Sequence, residues 1–314
     1  MAPSILIIGA TGNTGRGVTE TLSTLLESSK ALFGYQIIAL TRSLNGAAAQ
    51  QFAKLSQVKI IEKNWPEIDS DWLREHDVAR VFIASHNQPN QFAEESTFLL
   101  AALDAGVKYV VRISTTAANV RPNCRAYYAR AHWAIESMLS QPEFKNLQWT
   151  SLQPNIFTSN YLHPAVEHIK QYRKTGKQDT LKLMASPDTP VGIVDPFEVG
   201  IVAAHLLSLD DTNQHNQAKY VVNGPEDITG NQIVKMVEQY IGTKVENISF
   251  KDLSFIDDMA TTSSESRNVI LSIKNALVTS WNGECRSNTT SKEILDIAAP
   301  KRTPAEALES MLIE

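Results

Sequence analysis

The sequence predicts an α/β fold in which helices cover both faces of a parallel sheet. Three observations indicate this fold. Short apolar runs of strand length alternate with amphipathic stretches, a glycine-rich turn joins the first run to the first helical stretch, and the composition is that of a globular protein. The 314 residues are 43% hydrophobic and 20% charged. This length suits two domains or one enlarged α/β domain.

Each apolar run is interpreted as a strand that is buried on both faces of a parallel sheet. The runs occupy residues 4–8, 35–40, 58–61, 78–85, 108–114 and 147–152. The segments between them have helical spacing at residues 16–28, 47–55, 91–105 and 127–139. Gly106 follows the third helical segment as a fitting C-terminal stop. A doubly wound parallel sheet follows from this repeated alternation.

The second half of the chain is less regular than the first. We expect it to form a smaller α+β lobe that covers the carboxyl ends of the strands. Helix-start signatures lie at Asp195, Thr229 and Thr303. The boundary is placed after the sixth strand, which divides the chain into residues 1–154 and 155–314, with parts of the second segment returning to the sheet.

Charge and cysteine content restrict the function classes. Lys plus Arg is 29 and Asp plus Glu is 34, a net charge of −5, which disfavours general nucleic-acid binding. Cys124 and Cys285 are too few for a disulfide framework or a multi-cysteine metal site, and suit a reducing compartment. The first residues run into a strand, not a signal peptide, and no apolar stretch has transmembrane length. We therefore expect a cytoplasmic protein without a metal or a membrane partner.

The glycine-rich loop after the first strand is the strongest motif. It reads Gly9-Ala10-Thr11-Gly12-Asn13-Thr14-Gly15. The first glycine permits a tight turn, the second lets the backbone approach a pyrophosphate, and the third lets the helix pack close to the strand. The unpaired N–H groups of the helix then bind phosphate. Since a strand precedes it and a helix follows, the loop predicts a Rossmann-type dinucleotide site.

The end of the second strand indicates which dinucleotide binds. It reads Leu40-Thr41-Arg42-Ser43 and lacks the Asp or Glu that usually binds a ribose 2′-hydroxyl. Arg42 suits a 2′-phosphate, with Arg16 as a second positive charge. NADP(H) is therefore favoured over NAD(H). The alternative is that Arg42 is a solvated surface arginine.

With these motifs the sequence resembles the NmrA-like group of atypical short-chain dehydrogenases/reductases. The matching motifs are the glycine loop, Thr41-Arg42, residues 81–85, residues 109–114 and residues 149–155, followed by Phe157 and Asn160. The resemblance covers nearly the whole chain and implies a NAD(P) site at the sheet edge. Some members of this group reduce small organic molecules, and others are redox sensors that regulate partner proteins without turnover.

The resemblance also implies a catalytic tyrosine with a lysine four residues later. Tyr128 and Thr115 match the tyrosine and the earlier hydroxyl that orients a carbonyl, but His132 stands in place of the lysine. A phenol needs a fixed cation to act near neutral pH, where histidine is only partly protonated. Tyr128 is thus either a proton donor or a packing residue. His132 is either a contact to cofactor or substrate, the acid itself, or a buried structural histidine.

Polar side chains at the ends of the later strands are predicted to line the ligand, because open α/β sheets bind ligands at the carboxyl ends of their strands. The further cofactor contacts are assigned to Ser85, His86, Asn87, Ser114, Pro154, Asn155 and Phe157. Asn160 and Tyr161 are assigned to the substrate.

The function expected from these features is NADP(H)-dependent reduction of a small organic molecule, such as a ketone, enone or iminium. Weak proton donation at Tyr128 would favour acceptors that need little acid help. Two alternatives stay open: a non-catalytic NAD(P) sensor that regulates a protein partner, and a redox-neutral enzyme such as a cyclase or isomerase. The oligomeric state is not predicted by the sequence.

Overall fold

A computed structural model describes residues 2–28 and 32–313 of the chain. Residues 1 and 29–31 of the predicted segment 1–154 lie outside the described residues, as does residue 314 of the predicted segment 155–314. The strands are β1 (Ser4–Ile8), β2 (Gln36–Thr41), β3 (Val58–Glu62), β4 (Val78–Ile83), β5 (Tyr109–Ile113), β6 (Gln148–Pro154), β7 (Leu181–Leu183), β8 (Ala218–Val222) and β9 (Ile248–Phe250). All six strands predicted in the first half are present, within two residues of their predicted ends.

Helices connect these strands. They are α1 (Asn13–Ser28), α2 (Ala47–Phe52), α3 (Ser70–Glu75), α4 (Gln91–Ala105), α5 (Tyr127–Leu139), α6 (Thr158–Tyr161), α7 (His163–Thr175), α8 (Pro196–Ser208), α9 (Gly230–Ile241), α10 (Ser254–Thr262), α11 (Arg267–Leu271), α12 (Val278–Trp281), α13 (Lys292–Ala298) and α14 (Pro304–Ile313). The first helix begins three residues before its predicted start, because the glycine loop turns directly into it. Within the described ranges, no helix is long and apolar enough to cross a bilayer.

The central sheet has the strand order β3-β2-β1-β4-β5-β6-β8, with all neighbouring pairs parallel. The order reverses at β1, with β2 on one side and β4 on the other. Crevices for ligands lie at such switch points, outside the carboxyl ends of the strands. The predicted doubly wound, Rossmann-like α/β fold is confirmed.

Helix α8, which comes late in the chain, packs directly on α1. A Cβ atom at Gly17 would lie 2.2 Å from the carbonyl oxygen of Phe197, and one at Gly200 would lie 2.3 Å from that of Thr14. The two backbones therefore touch, and only glycine fits at either position. This contact sets the position of the first turn of α1 relative to the sheet.

The remaining second half forms the smaller lobe beyond the sheet. Its two short strands, β7 and β9, pair in parallel, and α7, α9 and α14 share one apolar core with them. Strand β8 returns to the main sheet beside β6, with Val222 opposite Pro154. Segment 155–314 thus contributes both to the lobe and to the sheet, and the boundary at residue 154 stays a prediction.

Candidate functional site

The glycine loop turns tightly between β1 and α1. Gly9 has a φ of +79°, and a Cβ atom there would lie 2.8 Å from the carbonyl oxygen of Ala84. A Cβ atom at Gly15 would lie 2.0 Å from the carbonyl oxygen of Gly9, so α1 starts against the strand it leaves. Gly12 is exposed and Thr11 is partly exposed at the tip of the loop. The loop thus leaves its backbone open to a ligand at Gly12.

The first turn of α1 carries unpaired donors. Among the described residues, the backbone N–H groups of Asn13, Thr14 and Gly15 have no hydrogen-bond acceptor, whereas that of Arg16 donates to the carbonyl oxygen of Gly12 at 3.0 Å. The 16-residue helix also places the positive end of its dipole here. This turn suits an anionic phosphate group.

The end of β2 presents an arginine next to a carboxylate from β3. Arg42 is exposed and forms no ion pair with any described residue. The backbone N–H of Ser43 donates to the hydroxyl of Thr41 at 3.1 Å. The carboxylate of Glu62 accepts the backbone N–H of Leu44 at 2.9 Å. Sequence reasoning missed Glu62, because only the pairing of β2 with β3 places it beside this loop.

The loop after β4 is held by α4. Ser85 donates its hydroxyl to Glu95 at 2.8 Å, and His86 Nε2 lies 2.7 Å from a carboxylate oxygen of Glu94. The backbone N–H of Gln88 donates to His86 Nδ1 at 3.1 Å. The predicted cofactor residues Ser85 and His86 therefore have protein partners that fix the shape of this loop.

The same loop is held by α5 at Asn87. The phenol of Tyr127 donates to the backbone carbonyl of Asn87, and His132 Nε2 lies 3.1 Å from Asn87 Oδ1. Asn87 is itself exposed at the carboxyl edge of the sheet. The structure thus joins two predicted site residues, Asn87 and His132, that are far apart in the sequence.

His132 is buried in a polar network centred on Arg112. The guanidinium of Arg112 donates to His132 Nδ1 at 2.8 Å, and the amide nitrogen of Gln91 lies 3.2 Å from the same atom. Burial, with the charge of Arg112 as a second cause, holds the pKa of His132 well below its usual value. The imidazole is therefore neutral at physiological pH and does not supply the cation expected of a lysine.

Arg112 is the buried cation of this network, although it lies inside an apolar strand. It donates to Glu95 at 2.6 Å and to the hydroxyl of Ser151 at 3.0 Å, and lies 3.7 Å from Glu136. Glu136 in turn lies 3.6 Å from the ammonium of Lys219. Sequence reasoning missed this network. Its one local signal was a charged residue in a run otherwise typical of a buried strand.

Tyr128 is half-buried at the start of α5, under helices of the lobe. It packs with an apolar cluster that includes Cys124, Ala129, Leu253, Ile256, Ala260 and Ile270. Burial raises the pKa of Tyr128 to about 12, although a side-chain hydrogen bond with Thr115 lowers it. The structure brings the predicted pair Tyr128 and Thr115 together, and the phenol stays protonated near neutral pH.

The polar side chains at the ends of β5 and β6 differ in whether they have hydrogen-bond partners. The hydroxyl of Ser114 is buried and has no partner among the described residues. Asn155, by contrast, donates to the carbonyl oxygens of Gly192 at 3.1 Å and Cys285 at 2.9 Å, and accepts from the hydroxyl of Thr116 at 3.3 Å. The Asn155 side chain thus connects the sheet to the segments around Gly192 and Cys285, while the Ser114 hydroxyl has no protein partner among the described residues.

The predicted site residues at and after the end of β6 differ in their exposure to solvent. Pro154 ends the strand and is buried, and Phe157 forms an isolated bridge with Val194 and is half-buried. Asn160 is exposed, whereas Tyr161 is only 1% exposed and lies in the core of the lobe. The hydroxyl of Tyr161, like that of Ser114, is buried and has no hydrogen-bond partner among the described residues, and its assignment to the substrate stays a prediction. Within the described ranges, no group of three or more His, Cys, Asp or Glu side chains is arranged to hold a metal ion.

Comparisons with known proteins agree with this geometry. The model of the NmrA-like family matches residues 1–277. No curated protein matches the sequence. Among solved structures, an NADPH complex of an NADPH-dependent quinone oxidoreductase from Escherichia coli is similar, with 20% identity, 98% of this chain and 99% of that chain covered, and a TM-score of 0.73.

Two further solved structures are similar along their length. One is triphenylmethane reductase from Citrobacter sp. with NADP(H), at 18% identity, 98% and 100% coverage and a TM-score of 0.71. The other is NmrA, a negative transcriptional regulator, with NADP, at 13% identity, 99% and 91% coverage and a TM-score of 0.65. At these identities the likeness shows the fold alone.

Proposed function

Because the chain belongs to the NmrA-like family, we propose that it is an NADP(H)-dependent reductase of a small organic molecule. Its function is then carried by the glycine loop, the start of α1 and the edge of the sheet between β4 and β6. Both cysteines are unpaired and buried, which suits a reducing compartment, so we place the activity in the cytoplasm.

The observation that carries this proposal is the set of three unpaired N–H groups at Asn13, Thr14 and Gly15, beside the exposed Gly12. These donors and the helix dipole fit a pyrophosphate. Arg42, which is exposed and without an ion pair among the described residues, fits a 2′-phosphate. Solved relatives that were crystallised with NADPH or NADP(H) support the same choice of dinucleotide.

The hydride acceptor is one that needs little acid help. When bound, the reduced nicotinamide supplies a hydride. An iminium ion becomes a neutral amine on accepting a hydride and takes up no proton. A quinone or an enone becomes a resonance-stabilised anion, which can take its proton from water. A simple ketone becomes a strongly basic alkoxide, so its reduction depends on a proton delivered while that charge develops. Tyr128, with a pKa of about 12 and no lysine cation beside it, is an inefficient general acid for this step near neutral pH.

Calorimetry with NADPH, NADP⁺, NADH and NAD⁺ tests the cofactor assignment. We expect the two phosphorylated forms to bind more tightly, and Arg42→Ala to remove that preference while NADH binding changes little. Loss of one charged hydrogen bond to phosphate corresponds to an affinity change of about tenfold. No binding of any of the four forms would overturn the proposal.

Turnover assays with matched acceptors test the reaction. We expect NADPH oxidation with a quinone or an iminium dye and little with a simple aliphatic ketone. Efficient ketone reduction that Tyr128→Phe abolishes would contradict the assigned acceptor class.

A second candidate function is a redox sensor that binds the dinucleotide and regulates a partner protein. It is favoured by the neutral His132, which leaves Tyr128 without the lysine cation. A known regulator, NmrA, also has this fold. A clear preference for one oxidation state of the dinucleotide, with no turnover of any acceptor tried, would support this function over the reductase.

A further inference from the structure

Asn87 lies where the loop after β4 meets the glycine loop. Ala84, three residues before Asn87, contacts Gly9 so closely that a Cβ atom on Gly9 would lie 2.8 Å from the Ala84 carbonyl oxygen. Asn87 itself is exposed, and it contacts Tyr127 and His132 of α5, the helix that also carries Tyr128. It therefore lies on the Tyr128 side of the glycine loop, away from Arg42 at the end of β2.

Two hydrogen bonds from α5 fix Asn87. Its backbone carbonyl accepts from the phenol of Tyr127, and its side-chain oxygen lies 3.1 Å from His132 Nε2. With Oδ1 occupied in this way, the Nδ2 group is left as the free end of the amide. No described residue accepts a hydrogen bond from Asn87 Nδ2, and the side chain is exposed at the ligand edge of the sheet.

The hydrogen-bond partners of His132 determine its tautomer. Arg112 has only donors, and it approaches His132 Nδ1 at 2.8 Å. Nδ1 must therefore be the unprotonated acceptor, and the single ring proton lies on Nε2. That proton is donated to Asn87 Oδ1. The assignment follows from donor chemistry, because an arginine in proteins keeps all its protons.

The surrounding charges oppose a second proton on His132. The guanidinium of Arg112 faces it directly, and each carboxylate nearby already has a partner. Glu95 accepts from Arg112 at 2.6 Å and from Ser85 at 2.8 Å. Glu136 accepts from Ser151 at 2.7 Å and lies 3.6 Å from Lys219.

The exposed loop completes this set of charges. His86 is paired there with Glu94 at 2.7 Å. No described carboxylate within hydrogen-bond distance faces the imidazole of His132 itself.

We propose that His132 is an uncharged positioning residue, which fixes Asn87 so that its amide nitrogen donates a hydrogen bond to the nicotinamide half of the bound dinucleotide. The inference rests on the proposed function, since it assigns a donor for the same cofactor. A lysine at this helix position would present a charged donor. Here a neutral amide presents the hydrogen bond, and the positive charge stays buried on Arg112.

Three variants separate this role from simple packing. Asn87→Asp keeps the acceptor for His132 and the shape of the side chain, but removes the amide donor. Gln88→Glu adds the same charge to the same loop at a side chain that forms no hydrogen bond with a described residue. His132→Leu removes the hydrogen bond to Asn87 Oδ1, so that the Asn87 side chain is no longer fixed from α5.

Calorimetric binding of NADPH is measured for the wild type and each variant. We expect Asn87→Asp to weaken binding about tenfold, the effect of losing one hydrogen bond in a partly shielded site. We expect Gln88→Glu to stay within about threefold of the wild type, and His132→Leu to weaken binding about as much as Asn87→Asp does. Equal losses in Asn87→Asp and Gln88→Glu would overturn the proposal, because charge alone would then explain the effect.

The tautomer of His132 is measured separately, by ¹⁵N NMR of the imidazole in the absence of any dinucleotide. We expect the Nε2–H form throughout the range from about pH 5 to pH 8, where an ordinary histidine titrates. Titration of His132 in this range, or an Nδ1–H form, would overturn the uncharged positioning role.

The two failures are distinguishable. A wild-type protein that binds no dinucleotide overturns the proposed function and, with it, the donor role of Asn87. If the wild type and Asn87→Asp bind NADPH equally well, only the donor role of Asn87 is overturned.

Discussion

At the scale of single residues, His132 changes what Tyr128 can contribute. In a tyrosine–lysine pair the ammonium group lowers the pKa of the phenol, whereas here the residue four positions later is neutral and hydrogen-bonded to Arg112. Burial then leaves the phenol with a pKa of about 12. Tyr128 is thus a weak hydrogen-bond donor, suited to acceptors that stabilise their own negative charge.

The first prediction concerns Tyr128→Phe. Because the phenol stays protonated at all pH values below about 11, we expect no ionisation of Tyr128 in a pH profile of kcat between about pH 6 and pH 9. We also expect the variant to keep quinone or iminium reduction within about tenfold of the wild type, since general acid help contributes more than that only where it is strong. A loss of about a thousandfold, or a wild-type profile with a break that the variant lacks, would contradict this.

The second prediction concerns Glu62, whose carboxylate accepts the backbone N–H of Leu44 beside Arg42. Glu62→Gln keeps an acceptor for Leu44 and removes a negative charge close to the 2′-phosphate position. We expect tighter NADPH binding by about two- to fivefold, the size of an exposed charge interaction, with NADH binding unchanged. Glu75→Gln is the control for net charge, because Glu75 is exposed on α3. If both variants strengthen NADPH binding equally, net charge and not the position of Glu62 explains the effect.

At the scale of elements, the contact between α1 and α8 positions the phosphate-binding turn. The backbones touch at Gly17 and Gly200, and a Cβ atom at Gly200 would also lie 2.8 Å from the backbone nitrogen of Val18. Asp195 caps helix α8: its carboxylate accepts the backbone N–H of Phe197 at 2.7 Å and pairs with Arg302 at 2.7 Å. The helix that supports the glycine loop is therefore itself anchored by the end of the chain.

The third prediction follows from this contact. Gly200→Ala must push α1 and α8 apart, and we expect it to lower the free energy of unfolding by about 3 kcal/mol, the upper range for overpacking. It should also weaken NADPH binding, because the first turn of α1 moves with the helix. Chemical denaturation and calorimetry measure the two effects.

Gly46→Ala is the matched control for this substitution. The nearest atom to its added Cβ would be the carbonyl oxygen of Ser43 at 3.5 Å, which is an ordinary contact. We expect a cost below about 1 kcal/mol there. A similar cost at both positions would show that the helices can separate without strain.

At the scale of the whole molecule, a buried polar network connects the sheet to α4 and α5. Arg112, Glu95, Glu136 and His132 are each at most 2% exposed, and the hydrogen bonds among them and with Ser151 cross from strand to helix. Removing one partner from such a network leaves a buried charge unpaired, which is costly. The residues of this network therefore contribute to the stability of the fold and also hold the loop after β4 through Ser85 and Asn87.

The fourth prediction is the pH dependence of stability that His132 introduces. Burial, and then the charge of Arg112, lowers its pKa in the folded state, while an unfolded histidine titrates near 6.5. Below about pH 6.5 the unfolded chain binds a proton that the folded chain does not, so stability falls as the pH drops and is unaffected above about pH 8. Burial lowers the pKa of His205 and of His215 as well, and these act in the same direction.

Urea denaturation at about pH 5 and pH 7 measures this effect. We expect His132→Gln to lose about 1–2 kcal/mol less stability than the wild type over this interval, since each pH unit below the unfolded pKa contributes up to about 1.4 kcal/mol. His163→Gln, at an exposed histidine, is the control and should match the wild type. Equal losses in His132→Gln and the wild type would show that the folded protein protonates His132.

The sequence by itself determined the first six strands, the order of the first α/β units and the glycine loop. These features depend on neighbouring residues: apolar runs of strand length, helical spacing, and glycines at three positions before a helix. Local chemistry also predicted Arg42 at the end of β2, and the resemblance to the NmrA-like group indicated the departure at His132. The fold and the family followed from these local patterns because a buried parallel strand and a phosphate-binding turn each need particular residue types within a short segment.

Only the tertiary structure decided how these residues act. Arg112 and His132 meet across the interface between β5 and α5, Glu62 reaches the β2 loop through strand pairing, and α8 closes on α1 from late in the chain. Tyr161, assigned to the substrate from its position after β6, lies in the core of the lobe. The physical reason is that protonation, burial and donor direction are properties of partners brought together in space, which no pattern of neighbouring residues specifies.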